Sequence, residues 1–327
     1  MINKINQNML AKSCTSFFFL ALMVIISNNI LAQSNSNSYR AYYELTNEAK
    51  LLSFNKDYKT ALEKYEEAFS TNIGFEDDYT ESIKAALKLN IPQKVYALLK
   101  EKLIKTGWYS DELFDSTFNI FLKTSFGKKY SKQKKEWESQ NRMTIDASVY
   151  GFIRSIDATD QYIRGGFNKV IRTYVSDSVF KLFKPALIEY TDSFNFVRLK
   201  KFIVSNGFPG RSKLGGKDYM HTIILHQYNY NDKTDSLNAF NREKFRYLDS
   251  VLLGQISIGE FSPWHYAYAT DYSLSINKTS LYGVNQFYKF TIQDIENVEK
   301  RRKEIGLMSL KQQCVLSGKP LPSNYKE

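Results

Sequence analysis

The sequence predicts a mainly α protein, in which a short array of helical hairpins leads into a mostly α-helical globular domain. Two observations carry the prediction. From Tyr42 to about Gly107 the apolar residues recur at helical spacing, and two stretches align on each other at a shift of about 33 residues, the period of paired-helix repeats. Beyond about residue 143, amphipathic stretches of helical period alternate with short polar motifs, and period-2 alternation is rare. The expected division is a hairpin module over 42–142, a mostly α domain over 143–312 and a tail over 313–327.

The N-terminus precedes that division. Lys4 and Lys12 are followed by the uncharged "TSFFFLALMVII" (Thr15 to Ile26) and by small Ala32, which is the order of a secretory signal peptide over 1–32. A polar Asn/Ser-rich linker, 33–41, follows in place of a basic stop-transfer flank. The expectation is export to the periplasm or cell envelope, or secretion, with no transmembrane segment in the mature chain. Cys14 precedes the apolar run, which argues against a lipoprotein, and its removal leaves Cys314 as the one thiol. Stability then rests on a packed core, with no internal disulfide.

The formal charge of +11 becomes +9 once Lys4 and Lys12 leave. The basic residues are scattered, and the densest runs, "KKYSKQKKEW" and "EKRRKEIG", carry interspersed acids in the manner of solvated helix faces. The aromatic residues follow core spacing and do not interleave with Lys and Arg, so no nucleic-acid partner is expected.

In the first half, small Ala49, Ala61 and Ala68 let two helices approach, Leu52, Tyr58, Leu62, Tyr65 and Phe69 fill the space between them, and "FNKDY" makes the turn. The next unit keeps the spacing with Ala86, Val95 and Leu99, and places Pro92 in a first helical turn, where proline is tolerated. Tyr58, Ala61, Tyr65 and Ala68 resemble the second helix of the tetratricopeptide repeat; Lys102 departs from it by standing where a small residue belongs. A third hairpin over Asp111 to Gln140, with Trp137 buried, would cap the array. The resemblance implies a protein or peptide partner held in a concave groove. The alternative is that the module packs against the second half.

In the second half, Asp160 and Arg164 stand at i, i+4, so a helix brings their charges together. "YTDSFNFVRLKKFIVSNG" reads as an amphipathic helix with Phe194, Val197, Phe202 and Ile203 inward and Gly207 as its left-handed cap. Further helices are expected at "KDYMHTIILHQYNYND", "DSLNAFNREKFRYLDSVLLGQ", "SPWHYAYATDYSL" and "TIQDIENVEKRRKEIGL", and a short strand within Thr144 to Ile153. The Gly-rich "NGFPGRSKLGGKDY" fails as a phosphate loop, because Gly216 is inserted before Lys217, Asp218 occupies the hydroxyl position and the preceding stretch is helical. It reads as a rigid connector, with Arg211 and Lys213 as its direct contributors to any site.

The ordered series "DQYIR", "DSFN", "GFPGRSKLG", "LHQ", "YAYATD", "YGVNQ" and "VEKRRKEIGL" is similar to a bacterial family of exported or cytosolic proteins known as a domain of unknown function. Its pattern runs Asp-Gln with Arg, Gly-Trp-Pro, Gln-His, Asp-Arg, Tyr-Gly-Thr-Gln, then Arg-Arg with Gly-Leu. The resemblance implies a domain over about 144–310 without implying a chemistry. This chain departs at Phe208 for the tryptophan, at the reversed His226-Gln227, at Tyr272 for the arginine and at "GVNQ".

Gathered in one pocket, Asp160, Gln161, Arg164, His226, Gln227, Asp271, Tyr282 and Gln286 make a candidate acid–base site. Asp160 or Asp271 would orient His226 as a base, and Arg164 would hold an anion. The same residue types also build buried networks that tie helices together, and no nucleophile with an activator stands out. His221 and His226 lie five apart, about 140° around a helix, and no HExxH occurs, so no metal and no cofactor are expected. Two functions remain: a cell-envelope binding or scaffold protein, and an envelope enzyme with hydrolysis as its candidate reaction.

Overall fold

The computed structural model describes residues 39–107, 115–166, 173–228, 235–284, 290–322 and 324–325, without the side chains of 235–239 and 276. The signal peptide, most of the linker and Gln286 lie outside them. The described chain is mainly α, with 13 helices and 77% helix. No described helix is long and apolar enough to cross a membrane.

The N-terminal helix pairs pack like hairpins. Helix α1 (39–54) turns into α2 (Tyr58–Thr71), which Asp57 caps by accepting from Thr60 N at 3.2 Å. Ala49, Ala61, Ala68 and Tyr65 are fully buried, so the small-residue spacing does what close helix approach requires. Helix α3 (Glu76–Lys88) and α4 (Pro92–Thr106) form the second pair, with Pro92 in the first turn. Helix α5 (Ser116–Lys123) and α6 (Ser125–Met143) follow, α6 packs along α4, and Trp137 is buried. Lys102, the misfit in the repeat pattern, is buried and donates to Thr80 Oγ1 at 2.7 Å.

The second half continues with α7 (Ala147–Gln161), a π-helical turn (Tyr162–Gly166), α8 (Asp177–Asn206), α9 (Met220–Gln227), α10 (Asp235–Ser257) and α11 (Pro263–Leu274). A two-residue parallel pair, β1 (Thr279–Ser280) with β2 (Thr291–Ile292), leads to α12 (Val298–Glu304) and α13 (Leu310–Ser317). Tyr42, Tyr43 and Ala68 of the first hairpin lie in one core with Ile153, Phe196, Leu199, Ile224, Leu252 and Phe261. The hairpin module and the second half are therefore joined by shared apolar packing. Tyr43 Oη adds a hydrogen bond to Ile256 O at 2.9 Å, and Asn47 Nδ2 one to Gly306 O at 3.0 Å.

Several local expectations change. The stretch from Thr144 to Ile153 is not a strand: Asp146 caps α7 through Ser148 N and Val149 N, and Ile145 makes only an isolated bridge to Leu214. Phe194 and Val197 of α8 face solvent, 50% and 56% exposed, because the buried face of that helix carries Asp192 and Asn195 beside Phe196 and Leu199. Gly207 ends α8 with φ 74° and ψ 173°, outside the left-handed helical conformation. The last long helix begins only at Val298, since Thr291 and Ile292 pair as strand. Helix α1 starts inside the linker read over 33–41, and the tail is folded, with Cys314 buried against Ile292, Val298 and Leu310.

Candidate functional site

The seven described candidates do not meet in one pocket; Gln286 lies outside the described residues. Asp160, at the end of α7, receives Arg164 Nε at 2.9 Å and Gln161 Nε2 at 3.1 Å, and its other contact is His226 Nδ1 at 2.6 Å. Arg164 spans to Asp192 on α8 with an NH2 bond of 2.6 Å. The π-helical turn keeps Arg164 on the Asp160 side, as the i, i+4 spacing predicted for a regular helix. Burial works against the Asp160 carboxylate, but the bonds from His226 and Arg164 outweigh it and hold its pKa below the usual range. Burial raises Asp192 despite Arg164, and buried Lys244, facing Asp192, falls to about 8. Gln227 lies alongside, buried, with Oε1 unpartnered. This is a nearly closed ionic network.

Asp271 and Tyr282 belong elsewhere. Asp271 is fully buried and accepts three backbone N–H groups, from Leu281 at 2.7 Å, Tyr282 at 2.8 Å and Val284 at 2.8 Å. It shapes the chain after β1. Tyr282 packs on Tyr266, whose Oη donates to Asp249 at 3.0 Å. Arg302, also fully buried, donates to Met308 O at 2.7 Å and to Tyr282 O. The "YAYATD", "YGVNQ" and "VEKRRKEIGL" motifs thus form a structural knot among their described residues.

A second arrangement was not expected. A cleft of about 420 Å3 opens at the seam between the hairpin module and the second half. One wall is the start of α3, with Phe75, Glu76 and Asp77; the other carries Arg154 and Asp157 of α7, the 216–222 segment, Ser262 and His265. His265 Nδ1 bonds Asp218 Oδ2 at 2.6 Å, which leaves Nε2 as its free ring nitrogen. His221 stacks on His265 with ring centroids 4.5 Å apart, and burial, followed by the His265 charge, lowers its pKa. Glu76 is pushed up to about 7, mainly by burial, with Lys102 opposing the shift. Among the described residues no group of three or more His, Cys, Asp or Glu side chains could hold a metal ion.

The Gly-rich connector builds this wall. Gly216, at φ 79°, passes so close to the end of α4 that a Cβ there would lie 1.9 Å from Lys105 O. Asn141 Nδ2 clamps the same turn by donating to Gly215 O at 2.7 Å. Arg211 is not free to meet a ligand as expected; it is buried over the Phe75 ring and donates to Gly74 O at 2.5 Å and Gly259 O at 3.0 Å. Lys213 donates to Asn206 O at 2.6 Å. The connector residues that line the cleft are Arg211, Gly216, Lys217, Asp218 and Tyr219.

Sequence reading missed Glu76, Asp218 and His265 as partners because they are brought together by packing and share no local motif. The 140° offset of His221 from His226 was the one available signal: it turns the two rings of α9 toward different sites, His221 to the cleft and His226 to Asp160. No protein-family model matches the chain, and no curated protein and no solved structure matches it.

Proposed function

We propose that the protein is an exported binding protein of the cell envelope that seats a polar ligand of short-peptide size in the seam cleft. The observation that supports this is joint construction: one wall comes from the hairpin module and the other from the second half, each with ionisable groups at the opening. The volume falls within the roughly 300–1,000 Å3 of small-molecule sites. Lys217 supplies a cationic group and Asp77 an anionic one, Arg154 and Asp157 form a pair held at 2.9 Å, and Glu76 at about 7 changes state near neutrality. That mixture suits a zwitterionic chain end better than a uniformly charged ligand. Ser262 lines both this cleft and a neighbouring one of about 340 Å3, so the α11 start divides the seam and favours a short occupant over a long helix. The tetratricopeptide-like spacing of the first half fits this reading.

An envelope hydrolase is the second reading, and one observation favours it. His265 is oriented by Asp218 while Glu76 in the same cleft sits near pH 7, the pairing general acid–base chemistry needs. The deciding experiment titrates the purified protein with a library of tri- to pentapeptides by thermal shift and calorimetry, beside Glu76→Gln and His265→Ala. A rise in Tm that both variants lose is expected. No response, or one that both variants keep, would sink the cleft assignment, and cleavage of a bound peptide would move the conclusion to the hydrolase.

A further inference from the structure

We infer that α8 pairs with the α8 of a second copy of this chain, so that the protein assembles as an antiparallel homodimer along an exposed apolar stripe. Helix α8 is 30 residues long, about 45 Å at 1.5 Å per residue, with Pro185 inside it on the face away from the stripe. At 100° per residue Val179, Phe183, Ala186, Tyr190, Phe194, Val197, Lys201 and Val204 fall within about 40° of one line. Seven of these eight are apolar. Phe183 is 67% exposed, Tyr190 72% and Val204 74%, while the opposite face carries the buried Asp192, Asn195, Phe196 and Leu199. A helix that is apolar on its solvent side as well as its core side has the pattern of one covered on both.

Size and register select the occupant. An aromatic side chain carries about 150–250 Å2, so Phe183, Tyr190 and Phe194 at half to three-quarters exposure, with the valines and Leu182 on the rim, offer roughly 700 Å2 per copy. That approaches the ~800 Å2 per partner of a stable interface. Residues of the stripe recur at steps of three and four, which is the spacing a partner helix of the same pattern interlocks with. Elsewhere among the described helices the large exposed apolar residues, such as Phe54, Ile120 and Val315, stand singly. One two-fold register pairs six of the eight, with Phe194 beside the two-fold axis: Tyr190 faces the other copy's Val197, and Phe183 its Val204. Small Ala186 then makes room for Lys201, the single polar member. The same register brings Glu189 toward Lys200, whose ammonium also holds Glu243 at 3.1 Å, on the shared rim, a pairing of opposite charges that a parallel arrangement would not make.

Sedimentation equilibrium and light scattering on the purified mature protein test this, with twice the monomer mass expected at micromolar concentration. The Phe183→Glu/Tyr190→Glu variant should run at monomer mass with unchanged helical circular dichroism. Because that variant could unfold, register is checked independently by oxidation: Ala186→Cys/Lys201→Cys should give a covalent dimer on a non-reducing gel, and Ala186→Cys alone should not. A wild-type monomer at all concentrations overturns the proposal. So does crosslinking of the single Ala186→Cys variant, which would mean a parallel pair. Monomeric wild type that binds phosphatidylglycerol vesicles through the stripe would assign the face to a lipid surface instead.

Discussion

The Asp160 network and the seam cleft use the same residue types, and they differ in how completely each charge is answered. In the network Asp160 has three side-chain partners, and Arg164 bridges two carboxylates. In the cleft Glu76 stands 4.0 Å from Lys102, and His265 has Asp218 on one side and open space on the other. Desolvated charges must be paired to persist, so a saturated cluster is what a fold needs, whereas partly answered groups at an opening are free to act on something else. Composition alone would rank the two alike.

The largest effect should come from breaking the saturated side. Arg164→Met leaves Asp160 and Asp192 as neighbouring buried carboxylates, and is expected to cost about 3–5 kcal/mol by urea denaturation. A cost below about 1 kcal/mol would mean that the network relaxes into water and is not structural. His226→Ala removes one charge-assisted bond from Asp160 but leaves Arg164 in place, so about 1.5–3 kcal/mol is expected. Ligand response in the cleft should survive it, which separates the two regions.

How much of this was legible in sequence follows from the range of each signal. The hairpins were, because Ala49, Ala61, Ala68 and Pro92 act within one or two turns of chain. The Asp160–Arg164 contact was, because four residues decide it. Its closure by Asp192 and His226 was only half legible: both residues stood in noted motifs, but nothing local said that α8 turns Asp192 and Asn195 inward and its Phe194 outward. Asp271 was misplaced for the opposite reason, since a carboxylate that collects backbone N–H groups has the same sequence appearance as one that orients a base. Glu76 lay hidden in the acidic first turn "EDD" of α3, where helix-dipole stabilisation is a sufficient explanation.

A pH experiment sharpens the cleft side. Burial raises the folded-state pKa of Glu76 to about 7 from an ordinary value of 4.5. A carboxyl with a raised pKa favours folding fully below its unfolded pKa, and that contribution is lost as pH rises through the folded value. His221, whose pKa is lowered, acts in the opposite direction over nearby pH, so the comparison is made against Glu76→Gln, which leaves His221 in place. The Tm of the wild type minus that of Glu76→Gln should fall between about pH 4.5 and 7 and then level off. A flat difference would place Glu76 among ordinary surface carboxylates.

The smallest structural effect should accompany the largest functional one at His265. Its side chain is 32% exposed and Asp218 is 15% exposed, so truncating the ring leaves a carboxylate that water at the cleft can still reach. His265→Ala is therefore expected to cost no more than about 1 kcal/mol, the scale of a hydrogen bond replaced by solvent, and not the several expected at Arg164. Loss of the stacked ring also opens His221 to water and lifts part of the burial that lowers its pKa, so the His221 pKa, followed by NMR, should move upward. If His265→Ala instead destabilised the fold as much as Arg164→Met, the Asp218–His265 pair would be a second structural network, and the contrast between the saturated interior and the open seam would fail.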